Sequence, residues 1–201
     1  MARSRGKKSD DSSALQKRSR ERLASDDIMR TILEYESDPK DGHTFNDRAI
    51  ALTLTAQLEQ FLESAISSHF EIDENEGRKL FDDNVDGPLS TLSRKIAIGY
   101  ALGVYGSNMK TDLNFIRQIR NAFAHSKKHL DFDTPEIRAI LNHINLAHSS
   151  QFRSLSGNTT TSPRKIFASC IRLLCAYFND KQKPMKYKGV GFYTVLYDSP
   201  P

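Results

Sequence analysis

Long apolar runs are absent from this chain of 201 residues: none approaches the roughly 18 residues that a bilayer-spanning helix needs. The opening stretch, MARSRGKKSDDSS, begins basic but has no apolar core behind it, so no secretory signal is expected. Cysteine is scarce, with only Cys170 and Cys175. Five residues apart on a helix they are turned about 140° from one another, which excludes a local disulfide. We read them as reduced core thiols of a cytoplasmic protein. No glycine-rich loop suited to cradling a phosphate is present, and no helix-turn-helix pattern with a basic recognition helix. These absences exclude most nucleotide-dependent enzymes and the common DNA readers.

What is there begins with an uneven charge. The net value of +4 comes from 29 basic and 25 acidic side chains. Arg3, Arg5, Lys7, Lys8, Lys17, Arg18, Arg20 and Arg22 face only three acids within residues 1–25. The remaining 176 residues hold 21 basic and 22 acidic side chains. All of the positive excess thus sits in a Ser-rich, apolar-poor tail. Such a tail cannot bury enough surface to offset its ordering entropy, so residues 1–22 are expected to be disordered. Those eight cations are where a nonspecific contact with nucleic acid or another polyanion is expected.

Behind the tail the chain reads as one all-α domain, residues 23–181, with a short extended aromatic tail over 182–201. Ser25 or Asp26 would cap a helix carrying Ile28, Ile32 and Leu33. In the stretch around DRAIALTLTAQLEQFLESAI, the residues Ile50, Leu54, Leu58, Phe61, Leu62, Ala65 and Ile66 recur at helical spacing. An acidic, apolar-poor connection runs from Glu71 to Asp86. Pro88 suits the first position of the next helix, which ends among Gly103 and Gly106. A further helix covers NMKTDLNFIRQIRNAFAHS, and Thr134-Pro135-Glu136 opens another through about His148. The Ser/Thr/Gly-rich stretch 154–162 reads as a loop, and Pro163 begins a final helix to about Asn179. The closing YKGVGFYTVLY has the β-branched and aromatic character of an extended segment. Short loops between amphipathic helices point to a bundle.

Two patterns look like metal sites. Asp82, Asn84, Asp86 and Gly87 stand at positions one, three, five and six of a calcium loop, but Ser93 occupies the twelfth, where a bidentate carboxylate belongs. A turn explains these residues more economically. His125 and His129 are four apart, yet no further ligand set accompanies them. No metal or cofactor is expected.

The polar content of the segment from Asn114 to His125 is harder to dismiss. At 100° per residue, Phe115, Ile116, Ile119, Ala122 and Phe123 share an apolar arc. Asn114, Arg117, Asn121 and His125 form a separate polar stripe at i, i+3 and i, i+4 spacing, which makes them candidate functional residues. Arg120 falls at the edge of the apolar arc, its stem against the core and its guanidinium aimed at a carboxylate or a helix end.

The segments LFDDNVDGPLSTLSRKIAIGYALGV and LNFIRQIRNAFAHSKKHLDFDTPEIRAI, in this order behind the Ile50–Ile66 helix, resemble the mannitol operon repressor (MtlR-like) family over roughly residues 45–145. That resemblance implies an all-helical bacterial protein classed as a transcriptional regulator without an obvious DNA-binding domain. We therefore expect regulation through a protein partner, with the chain forming a homodimer and standing free of the membrane. A narrower likeness attaches to Arg120-Asn121-Ala122-Phe123-Ala124-His125, which is similar to the signature of HEPN-type ribonucleases. This alternative implies metal-independent cleavage of RNA across a dimer. His125 would act on the 2′-hydroxyl, Arg120 would stabilise charge on phosphorus and Asn121 would orient the group.

Overall fold

A computed structural model describes residues 47–156 and 162–181. The basic tail, the helix capped at Ser25 or Asp26 and the extended C-terminal segment lie outside the described residues. Within them the chain forms α1 (Asp47–Ser67), α2 (Glu74–Phe81), α3 (Leu92–Ala101), α4 (Ser107–His125), α5 (Pro135–Asn142), α6 (Ser150–Ser156) and α7 (Pro163–Lys181). Two 3-10 turns, Asp83–Val85 and Asn145–His148, stand between them, and no strand occurs among the described residues. This is the all-α single domain expected.

Helix α1 is central because its apolar stripe is broad. Ile50, Leu54, Leu58, Phe61, Leu62, Ala65 and Ile66 are all buried, as their spacing predicts. The helix packs along α7, α4 and α3. Helix α7 supplies the facing wall from Phe167, Ile171, Leu174, Cys175 and Phe178. Both cysteines are free and buried, and burial pushes their thiols well above the ordinary range, which leaves them inert.

Close approach of backbone and ring occurs at Gly99, where a Cβ would stand 2.9 Å from Cε1 of Tyr105. The missing side chain lets Tyr105 bury its ring and donate its hydroxyl to the Ile96 carbonyl at 2.7 Å. Tyr177 of α7 donates in the same way to the Val104 carbonyl at 2.7 Å. The bend after α3 turns on Gly103, whose φ of +68° lies in the left-handed region.

Four sequence expectations need correction. Pro88 does not begin a helix: α3 starts at Leu92, with the Thr91 hydroxyl accepting from the Arg94 amide. Leu89 instead donates its amide to the Leu80 carbonyl at 2.7 Å, which holds Pro88 in a turn. The acidic connection is not bare, for α2 lies inside it, capped by the Asp73 carboxylate on the amides of Asn75 and Glu76 and anchored by buried Phe81. The helix opened by Thr134 stops at Asn142, since a carboxylate from α4 draws the following backbone into the 3-10 turn at 145–148. Finally, α6 occupies the first residues of the stretch read as a loop over 154–162.

Candidate functional site

Helix α4 carries the polar stripe, and its ends decide what that stripe can do. Its C-terminal carbonyls are capped from α1: the Arg48 guanidinium donates to the Ala124 carbonyl at 2.7 Å and to that of Ser126 at 3.5 Å. The neighbouring Asp47 accepts from the Phe132 amide at 2.8 Å and forms an ion pair with Arg164 of α7. The start of α1 thus joins the end of α4, the loop behind it and the first turn of α7.

Along the stripe, Asn114 donates its amide to the Lys110 carbonyl at 2.9 Å, within its own helix. Arg117 and Asn121 are half-buried. His125 is the last residue of α4 and is exposed. These four share one side of the helix, as the spacing predicts. The apolar arc is rotated from its expected position: Met109, Leu113, Ile116, Ile119 and Phe123 are buried, while Phe115 and Ala122 are half-buried. Contact with α5 and the turn behind it accounts for this, since Phe115 stacks on the His143 ring at 6.0 Å instead of entering the core.

Among the described residues Arg120 does not meet a carboxylate or a helix end. Its Nη1 donates to Oδ1 of the adjacent Asn121 at 3.0 Å. The helix runs unbroken through His125, and the Ser126 amide still reaches the Ala122 carbonyl at 3.0 Å. Without a bend near Ala124, Arg120 and His125 stay about 140° apart around the axis, so one chain does not bring them to one point. The helix ends before His129, and His125 and His129 have no common helical face. Among the described residues no three His, Cys, Asp or Glu side chains group closely enough to hold a metal. In the calcium-like segment, Asp82 accepts from the amide and side chain of Asn84 at 2.8 and 2.9 Å, and Gly87 lies against the carbonyls of Lys79 and Leu80.

Two polar clusters escaped the sequence reading. Asp112 is fully buried in α4 and caps the 3-10 turn: its oxygens accept from the Asn145 amide, the Asn145 side chain and the Leu146 amide at 2.8, 2.9 and 2.8 Å. A helical projection places it within the apolar arc beside Ile119 and Phe123, a signal available from spacing alone. Lys95 is buried between Glu59 and Glu63 at 2.8 Å each, with its Nζ 5.8 Å from the Phe81 ring centre. Desolvation opposes its charge most strongly of any single influence, but the two carboxylates together outweigh it and the pKa moves up. Both clusters join helices to one another and are packed inside the domain.

No helix among the described residues is long and apolar enough to cross a membrane. A search of curated proteins finds no match. Among solved structures, the chain is similar to the X-ray structure of the MtlR-HPr complex from Escherichia coli, at 18% identity and a TM-score of 0.56, covering 75% of this chain and 98% of that one. That level of likeness speaks for a shared helical fold. The family model described as Mannitol repressor matches residues 31–175, well over half of the chain, and the chain therefore belongs to the mannitol repressor family.

Proposed function

We propose that this chain is a regulator that works by binding a protein partner of the HPr kind, and that any effect on transcription passes through that partner. The observation that carries the reading is the family match over residues 31–175, together with a fold shared with an MtlR chain solved in complex with HPr. The charge pattern supports the same view. Beyond residue 25 the chain holds 21 basic against 22 acidic side chains, so a phosphate-neutralising face comparable to that of a DNA reader has little charge to draw on. In this reading the protein is cytoplasmic and homodimeric, its eight tail cations add a salt-sensitive contact to nucleic acid, and it is not an enzyme.

The test is calorimetric titration of the full chain with HPr from its own source organism, beside an RNA-cleavage assay in EDTA. We expect saturable binding of one HPr per chain with a Kd in the micromolar range or tighter (about −8 kcal/mol) and no cleavage. Failure to bind HPr overturns the partner assignment. Cleavage of single-stranded RNA that is lost in Arg120→Ala and His125→Ala variants would establish the ribonuclease alternative instead.

A further inference from the structure

Arg117 and Arg120 stand three residues apart on α4, one turn along and about 60° around, where like charges repel. Both are half-buried. Two other shielded cations of the domain are neutralised by carboxylates: Lys95 by Glu59 and Glu63, Arg164 by Asp47. Neither Arg117 nor Arg120 takes part in an ion pair among the described residues. The hydrogen bond of Arg120 ends on the neutral amide of Asn121. The Nε of Arg117 is shut off from water and has no acceptor among the described residues. Asp112, the acid of the same helix, lies about 140° round from Arg117 and points its oxygens at Asn145 and Leu146. Lys110, seven residues before Arg117 on nearly the same line, rests its Nζ 4.2 Å over the Tyr100 ring and adds a third cation without a carboxylate.

A guanidinium cannot shed its charge at accessible pH, so two of them one helical turn apart and half out of water create a demand for an anion. We propose that Arg117 and Arg120 form a binding site for the phosphate of a small phosphate monoester, with Asn121 as a positioning residue that orients Arg120. The charge decides the ligand class. A phosphate monoester carries about −1.5 to −2 at neutral pH and three acceptor oxygens, which neutralises both guanidiniums. A carboxylate, with a single charge, leaves one cation uncompensated. Planar donor forks suit the oxygens of phosphate in pairs, and the Lys110 ammonium reinforces the field as a point charge. Such a site would give the regulator a place for a metabolite to act.

The test follows the side-chain Nε–H resonances of Arg117 and Arg120 in the full chain during titration with glycerol 3-phosphate, at fixed ionic strength and pH 7.5. Glycerol serves as the uncharged control and acetate as the carboxylate. The resonances are assigned with Arg117→Lys and Arg120→Lys, which keep the charge and remove the fork. Saturable shifts of both resonances, half-complete below about 10 mM, with acetate at least tenfold weaker, are expected. Both Lys variants should weaken binding about tenfold or more, and Arg117→Gln/Arg120→Gln should abolish the saturable phase while the eight tail cations remain. Absence of saturation in the parent chain, acetate binding as tight as phosphate, or an unchanged affinity in the Lys variants would each overturn the proposal.

Discussion

Asp112 and Arg120 sit on the same helix and carry unequal energetic weight. Asp112 is out of water and satisfies two backbone amides and one side-chain amide of the 3-10 turn. Asp112→Ala would strand those donors, and we expect a loss of about 3 kcal/mol. Arg120 has a neutral partner on the adjacent residue. Removing it deletes a packed stem and one modest hydrogen bond, so Arg120→Ala should cost about 1 kcal/mol. Urea denaturation of both variants against the parent, with unchanged m-values, measures the difference; equal losses would mean that the environment assigned to one of them is wrong. Cys170 and Cys175, whose thiols burial drives upward, should not react with a thiol reagent while the domain is folded.

Lys95 acts between elements. It ties the middle of α3 to the second half of α1 through Glu59 and Glu63, which stand four apart on the same face. Lys95→Met keeps the stem and leaves two carboxylates facing each other without a counter-charge. Because Glu63 is partly exposed, we expect about 2–3 kcal/mol, below the range for a fully buried pair. The folded pKa of Lys95 is raised, so its contribution is fully present below the ordinary lysine value of about 10.4 and is lost as pH rises through the folded value. The stability gap between parent and Lys95→Met should therefore be flat around neutrality and close in strongly alkaline solution, which denaturant titrations at stepped pH will show. A gap that grew with pH would contradict the arrangement of charges around α1 and α3.

For the whole molecule, the separation of charge is the governing fact. Eight cations crowd the first 25 residues and the rest is nearly balanced. Deleting residues 1–22 should therefore remove most of any nucleic-acid affinity at moderate salt, together with the steep salt dependence. HPr binding should be unaffected in the same preparation. Fluorescence anisotropy with a DNA duplex at two salt concentrations reads the first effect and calorimetry the second. A truncated protein that held DNA as tightly would show that the folded body is itself a nucleic-acid reader.

Periodicity and local punctuation determined seven of the buried positions of α1 between Ile50 and Ile66, along with the all-α class, the start of the last helix at Pro163 and a break at the glycines that follow α3. Each of these depends on what a residue does within a few positions of itself: apolar spacing at 3.6 residues per turn, a proline at a first turn, a glycine at a positive φ. The polar stripe from Asn114 to His125 was legible for the same reason. Tertiary structure decided what the polar residues are paired with. Lys95 finds Glu59 thirty-six residues earlier, and Asp112 finds Asn145 thirty-three residues later. It also stopped the Thr134 helix at Asn142, shifted the start of α3 from Pro88 to Leu92, and left Arg117 and Arg120 without a carboxylate among the described residues. No local pattern encodes these outcomes, because a hydrogen bond or an ion pair is a distance between elements, and packing alone brings its two ends within 3 Å.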